Sequence, residues 1–403
     1  MVRNLISIYR DSFSGLSRNV WLLCLIMLIN RAGAMVLPFM TLYLTTELGF
    51  TLPQAGNVMA VYGIGSILGA YAGGQLSDRY GYYHVQLYSL TISAGLLLAL
   101  IFLTSYMAIL VTVFSFATIS DALRPANSVA IAAFSAPENR TRSFSLMRFA
   151  INLGFSIGPA AGGLIAAWLG FKWIFLVDAV TCLIAAWILA AWLSPVKATG
   201  EAPLRKPPPA SPSAYRDTGY LAFIFFVALY AIAFFQLFTS VPVFWDKEWG
   251  YSKTAIGLLL ALNGLIIVVF EMPFIRKMEN YNRYMIMISA GCIFLAGSFI
   301  SLLTGVTTLV PAIVFILLMS LSEMFAMPFM TNYAVSRPAE DRRGQYMALY
   351  SISYGIAHVA APFMSMNMAD QYGFHAVYAW FAVLSAALVI AFYSMRGRAG
   401  GHS

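Results

Sequence analysis

Gly74-Gln75-Leu76-Ser77-Asp78-Arg79-Tyr80-Gly81 closes one long apolar run, 53–76, and leads into the next, 84–105. Glycine at the head of the segment lets helices approach closely, and an acidic side chain at a helix end can hold the N-terminus of a neighbouring helix through its dipole. A segment of this kind belongs at the turn between two spans, on the side of a bilayer where basic residues collect.

Working outward, 60% of the 403 residues are hydrophobic and only 10% are charged, where a soluble domain carries about 25% charged residues. A spanning helix needs roughly 20 apolar residues, and the chain supplies twelve such runs: 19–46, 53–76, 84–105, 107–134, 143–168, 171–193, 218–244, 253–275, 284–304, 308–334, 345–368 and 374–394. Short connections leave no room for a soluble catalytic domain. The first run extends well past the 7 to 15 residues of a signal-peptide core, so it is expected to remain as a helix. Cys24, Cys182 and Cys292 all fall inside apolar runs with no metal-ligand or pairing pattern, and read as small core residues.

The 24 Lys and Arg residues set the orientation. With the N-terminus inside, Arg3, Arg10, Arg18, Arg79, Arg140, Arg142, Lys197, Arg205, Lys206, Arg216, Arg276, Lys277, Arg283, Arg337, Arg342, Arg343, Arg396 and Arg398 all face the cytoplasm, while Lys172, Lys247 and Lys253 face outward. This bias follows the positive-inside rule and predicts a multi-pass protein of the inner (cytoplasmic) membrane with both termini cytoplasmic. The net charge of +8 is accounted for by that bias, so no nucleic-acid partner is called for.

Residues 194–217 change character, with Pro207, Pro208 and Pro209 and four basic residues, and read as a cytoplasmic linker. It divides the chain into 1–193, an N-terminal six-helix bundle, and 218–403, a C-terminal six-helix bundle with a short cytoplasmic tail. The halves match at an offset near 201: Gly49-Phe50-Thr51 against Gly250-Tyr251-Ser252, and Gly56 and Gly63 against Gly257 and Gly264. Glu138-Asn139-Arg140 matches Glu340-Asp341-Arg342 at 202, and Pro159 and Gly170-Phe171 match Pro362 and Gly373-Phe374 at 203. The fold expected is all-α and membrane-embedded, with twelve helices in two pseudo-symmetric bundles.

The segment from Gly74 to Gly81 resembles the G-x-L-x-D-R-x-G loop motif of the major facilitator superfamily, which implies that Asp78 and Arg79 belong to a cytoplasmic latch that stabilises the outward-facing state, with Gly74 and Gly81 part of the same conformational motif. Tyr82 and Tyr83 stand where that family usually places basic residues. On the fifth run, Gly154-Phe-Ser-Ile-Gly158-Pro159-Ala-Ala-Gly162-Gly163 resembles the antiporter motif of that superfamily's twelve-helix drug/proton antiporters. Gly154, Gly158 and Gly162 share one helix face and Pro159 removes a backbone donor, so this face reads as a surface for sliding and bending.

Ionisable groups inside a bundle are costly and mark candidate functional positions. Arg31, beside Asn30, lies on the first run; Asp121 and Arg124, three residues apart on the fourth, share a face and can pair. Arg148 and Asn152 open the fifth, Glu271 lies on the eighth, Glu323 on the tenth and His358 on the eleventh. The superfamily resemblance implies that helices one, four, seven and ten line the central cavity, which puts Arg31, Asn30, Asp121, Arg124, Gln236 and Glu323 within reach of a substrate. Glu323, in Ser322-Glu323-Met-Phe-Ala-Met-Pro328, is the first choice of proton carrier, with Asp121 and His358 as further candidates. Asp121 can equally be a structural partner of Arg124, and Arg31 and Arg124 can hold an anion or neutralise carboxylates. Glu271 and Asp178 read as structural.

Together these features predict a proton-coupled secondary transporter, an antiporter exporting small hydrophobic or amphipathic compounds by alternating access. The alternative is a proton-coupled symporter for peptides or other carboxylated solutes. Leu28, Ile29 and Asn30 precede Arg31 where oligopeptide transporters carry E-x-x-E-R, which counts against it. No H-E-x-x-H, nucleophile elbow or phosphate-binding glycine loop points to an enzyme. The expected partners are a small-molecule substrate, protons and membrane lipid, for a monomer that needs no cofactor or metal beyond a proton gradient.

Overall fold

In lipid, a backbone must satisfy its own hydrogen bonds, which restricts runs like these to helices. The computed structural model describes residues 15–136, 139–193, 213–278, 283–337 and 343–397, and among them no strand occurs. The helices are α1 (Arg18–Gly33), α2 (Val36–Thr46), α3 (Leu52–Tyr80), α4 (Tyr82–Leu100), α5 (Tyr106–Asp121), α6 (Leu123–Phe134), α7 (Arg140–Trp168) and α8 (Phe171–Trp192). They continue with α9 (Thr218–Phe234), α10 (Ser240–Lys247), α11 (Lys253–Met278), α12 (Tyr284–Leu302), α13 (Leu309–Ser336) and α14 (Arg343–Ser394).

Eleven stretches among the described residues are long and apolar enough to cross a membrane. The last has 50 residues, about 75 Å of helix against a hydrocarbon core of about 30 Å. It is not one span. Gly373 inside it has φ 77° and ψ 164°, outside the helical region, and separates the arms 343–372 and 374–394. Counted as two arms, it brings the stretches of spanning length among the described residues to twelve.

The repeat is present in the backbone itself. Gly170 (φ 96°), which opens α8, matches Gly373 (φ 77°), and Gly49 (φ 67°) matches Gly250 (φ 66°). Only glycine reaches such angles without a Cβ penalty, so the same residue marks the same turn in each half.

Three runs expected to be continuous are broken. The first splits at Ala34, with ψ 63°; the fourth is interrupted between Asp121 and Leu123; the seventh passes through a 3-10 turn, Phe235–Phe238, and a turn residue, Thr239. Each break lies four residues before a proline, at Pro38, Pro125 and Pro242. A proline ring clashes with the carbonyl four residues back and offers no N–H to it, so Ala34, Asp121 and Phe238 lose their helical bond.

The chain forms two compact units, one of Met1–Val36 with Gly65–Glu201, the other of Leu37–Ile64 with Ala202–Ser403. Residues 37–64 therefore group with the second unit, not with the rest of 1–193. The expected linker lies outside the described residues except for 213–217. In the first unit the core gathers Val20, Leu23, Tyr82, Ala126, Ile131 and Leu189. In the second it is aromatic, with Trp245, Phe299, Phe315, Tyr378 and Phe381 almost fully buried. Trp21, Trp168, Trp173 and Trp192 are exposed near helix ends, the position where amphipathic rings meet the membrane interface.

Within the second unit an ion pair fastens the start of α9. Arg337, just past α13, donates from Nε to Asp217 Oδ2 at 2.7 Å and from Nη2 to Oδ1 at 2.9 Å. The Tyr220 N–H reaches Oδ1 at 3.0 Å and the Tyr346 hydroxyl reaches Oδ2 at 3.0 Å. Burial alone pushes the Asp217 carboxyl up, but the bonds from Arg337, Tyr220 and Tyr346 outweigh it and hold its pKa at about 2, below the ordinary 3.8. A carboxyl held below its unfolded value adds stability above that value and loses it as pH falls through the folded one. Melting of the purified protein should therefore lose one component as pH drops from about 4 towards about 2, and Asp217→Asn should remove that component while lowering stability at neutral pH. An unchanged acid limb in the variant would contradict the assignment.

Candidate functional site

In the first unit, predicted residues from two helices meet at the break in the first span. The Ala34 N–H bonds Arg31 O at 3.3 Å, and the Met35 N–H bonds Gly33 O at 2.6 Å, closing a tight turn. Arg31, in the last turn of α1, places its guanidinium 5.5 Å from the centre of the Phe155 ring, a cation–π contact. The antiporter-like motif of α7 packs on this same turn. A Cβ on Gly154 would lie 2.5 Å from Arg31 Cβ and 2.9 Å from the Ala32 nitrogen, and one on Gly158 would lie 3.3 to 3.5 Å from the carbonyl oxygens of Arg31, Ala32 and Ala34. Pro159 lies inside α7 without ending it, and Gly162 and Gly163 are buried.

The other wall of the break is α8, which sequence reasoning set aside. The Asn30 side-chain amide donates to Cys182 Sγ at 3.4 Å. Asp178, 4% exposed, has the Cys182 thiol 3.9 Å from its Oδ1, with the backbone of Met35 and Val36 and the charge of Arg31 nearby. It is the only acidic residue in α8, and a lone carboxylate in so apolar a span was the available signal.

Asp121 and Arg124 pair as their spacing predicted, with Arg124 Nη2 2.9 Å from Asp121 Oδ1. The Asp121 Oδ2 atom is buried with no hydrogen-bond partner, while the Arg124 side chain is 60% exposed. The pair sits at the proline-induced interruption between α5 and α6. In the loop segment, Asp78 and Arg79 are exposed, and the Arg79 guanidinium lies 5.2 Å from the Tyr80 ring centre. Gly81 has φ 82° and opens α4. The close helix approach expected at Gly74 is not there, since a Cβ would meet nothing within 4 Å; Gly73 makes it, with Ala122 Cα and O at 2.5 Å. The helical phase puts Gly73, not Gly74, on the face towards α5.

In the second unit, Glu323 lies half-buried in the middle of α13. The Asn263 side-chain amide, from α11, donates to its Oε2 at 3.4 Å and to Ser320 Oγ at 3.0 Å. Tyr230 and Ser322 share a hydrogen bond of 2.9 Å, and the Glu323 charge acts on the phenols of Tyr230 and Tyr354. His358 stacks on Phe235 with ring centres 4.0 Å apart, and Phe235 also meets Tyr354 edge-on. Sequence reasoning missed Asn263, Tyr230 and Tyr354, which no motif marks.

Gln236 takes another part than expected. It is fully buried; its amide donates to Ile232 O at 3.0 Å and Ala361 O at 3.3 Å, and its Oε1 accepts from the Thr239 and Ser240 hydroxyls. Two donors and two acceptor positions are thereby used inside the protein, so Gln236 braces the break in the seventh span and has nothing left to offer a substrate.

Known proteins give the arrangement its family. The sequence profile of the Major Facilitator Superfamily matches residues 22–362 and 247–401. An uncharacterised transporter of that type, YttB of Bacillus subtilis, is 26% identical over 87% of this chain and 88% of its own. A Na(+), Li(+), K(+)/H(+) antiporter of Planococcus maritimus is 25% identical over 89% of this chain and 91% of its own. Among solved structures, a peptide transporter, POT, in complex with sulfate superposes with a TM-score of 0.83 over 96% of each chain at 16% identity, a likeness of fold. With the profile covering most of its length, this chain belongs to the Major Facilitator Superfamily and is a multi-pass membrane transporter, not an enzyme.

Proposed function

We propose that this transporter is proton-coupled and works as an antiporter, exporting small hydrophobic or amphipathic compounds across the cytoplasmic membrane by alternating access, with both termini in the cytoplasm. The observation that carries the reading is the seat of Glu323. A carboxyl in the middle of a span, half-buried and reached by the Asn263 amide at 3.4 Å, beside the Asn263–Ser320 and Tyr230–Ser322 hydrogen bonds, can gain or lose a proton while its neighbours re-pair. The aromatic surroundings, Phe235, Tyr354 and His358, suit apolar or cationic ligands. Support also comes from the full-length relative named as a cation/proton antiporter and from a multidrug resistance protein, MdtG of Dickeya zeae, that is 30% identical over 42% of this chain.

The symporter alternative has less behind it. The likeness to peptide transporters is one of fold, and the acidic pair that precedes the helix-one arginine in oligopeptide transporters is absent, with Leu28, Ile29 and Asn30 at those places.

The reading is tested by a thermal-shift screen of the purified protein over amines, peptides, lipids and carboxylates, followed by proteoliposome transport of the hits under an imposed pH gradient. Stabilisation by hydrophobic amines and gradient-driven movement against the proton flow are expected. Stabilisation by di- and tripeptides alone would overturn it.

A further inference from the structure

Between α3 and α4, which meet at Gly81, the first unit holds a cavity of about 590 Å³, within the roughly 300–1,000 Å³ of small-ligand sites. Ala72, Leu76 and Tyr80 line it from α3 and His84 and Ile92 from α4, with Thr118 of α5 beneath. The floor follows from the glycines of α3. A Cβ on Gly69 would lie 2.1 Å from Thr118 O, and one on Gly73 would lie 2.5 Å from Ala122 O, so α5 sits directly against that face. At the Gly81 end, His84 Nδ1 donates to Tyr80 O at 3.1 Å and the His84 ring stacks on Tyr88 with centres 6.4 Å apart.

The cavity opens on the side of the spans, where Leu76, Tyr80, Tyr88 and Ile92 are all exposed. Ala72 and Tyr80 are eight residues apart, about 12 Å of helix, close to the depth of one leaflet of a hydrocarbon core of about 30 Å. Charge is confined to the Gly81 end. Arg79 places its guanidinium 5.2 Å from the Tyr80 ring centre. The first turn of α4 has no side-chain cap and no acidic residue, so its free N–H groups present the positive end of the helix dipole. Asp78, next to Arg79, is the one acid in α3 and α4.

We propose that this cavity holds one phospholipid of the cytoplasmic leaflet, with an acyl chain lying on α5 between α3 and α4 and an anionic headgroup at Arg79 and the start of α4. Walls that are mainly apolar over the depth of a leaflet match a hydrocarbon chain, and a free anion would leave them unfilled. At the mouth, a lipid phosphate meets a guanidinium and unbonded N–H groups, both of which favour anions. The cytoplasmic leaflet is where anionic lipids collect. Only the orientation of the chain is taken from the proposed function; antiport and Glu323 play no part.

The test is native mass spectrometry of the delipidated full-length protein in detergent, titrated with phosphatidylglycerol, phosphatidylethanolamine or phosphatidylcholine of the same acyl chains. The wild type should bind a first phosphatidylglycerol about fivefold more tightly than either other lipid, the effect of one basic side chain at a membrane surface. Ala72→Trp, which fills the cavity, should weaken that binding about tenfold, the loss of two or so buried methylene groups. Arg79→Gln should abolish the preference among headgroups. If Ala72→Trp does not accumulate, Ile92→Trp on the opposite wall takes its place. Equal affinity for the three lipids, a preference for phosphatidylethanolamine, or an unaltered preference in Arg79→Gln would overturn the proposal. So would wild-type phosphatidylglycerol affinity in the filled variant, or displacement of the bound lipid by inorganic phosphate. None of these readouts involves transport, so loss of antiport in Glu323→Gln leaves them standing and the two readings fail separately.

Discussion

Replacing Glu323 with Gln should leave a folded transporter that no longer converts a pH gradient into substrate movement. Glutamine has the same shape and can still accept the Asn263 amide that now reaches Oε2 at 3.4 Å, so the packing of α11 on α13 is preserved. It cannot carry a proton. Gradient-driven transport should fall by about a hundredfold or more, the scale expected when an essential proton-transfer group is removed. Binding of a neutral substrate should change little, because no charge of the ligand depends on Glu323. Persistence of gradient-driven transport at a substantial fraction of the wild-type rate would remove Glu323 from the mechanism.

The second large effect separates two glycines that the antiporter-like motif treats alike. At Gly154 an added Cβ meets Arg31 Cβ at 2.5 Å and main-chain atoms of Ala32 and Arg31 at 2.9 and 3.0 Å. Main chain cannot step aside as a long side chain can, so Gly154→Ala must push α7 off the broken end of α1. Overpacking of this kind costs about 1–3 kcal/mol, and Gly154→Leu should cost more and abolish transport. At Gly158 the nearest atoms are carbonyl oxygens at 3.3 to 3.5 Å, which a shift of a few tenths of an ångström accommodates. Gly158→Ala should therefore melt close to the wild type. Thermal melting of both alanine variants in detergent measures the difference, and equal losses would contradict the packing described.

What the sequence could and could not reveal follows from the reach of its signals. Helix existence and number come from apolar length, which is local, and Gly170 and Gly373 announce their own turns. The breaks at Ala34, Asp121 and Phe238 were readable in principle, since Pro38, Pro125 and Pro242 each stand four residues on. Yet Pro159, Pro328 and Pro362 lie inside α7, α13 and α14 without ending them, so proline alone does not decide. Tertiary contacts do. Asp121 and Arg124 were found because their three-residue spacing is local and the turn at Ala122, with φ −63° and ψ −22°, keeps it. The partners of Glu323 were not, because Asn263 and Tyr230 come from other helices. The surroundings of Asp178 and the internal bonding of Gln236 depend on two separate breaks, in the first and the seventh span, whose geometry no local pattern fixes.

The central claim is that substrate moves against protons through Glu323. Its most direct test is the lumenal pH of proteoliposomes, with no imposed gradient, when an outward-facing supply of a cationic amphipathic probe such as ethidium is added. An antiporter must release protons as the probe enters, so the lumen should turn alkaline in the wild type and stay unchanged with Glu323→Gln. Acidification of the lumen on addition of dialanine, with no response to the amphipathic probe, would show protons moving with the solute and would contradict the account.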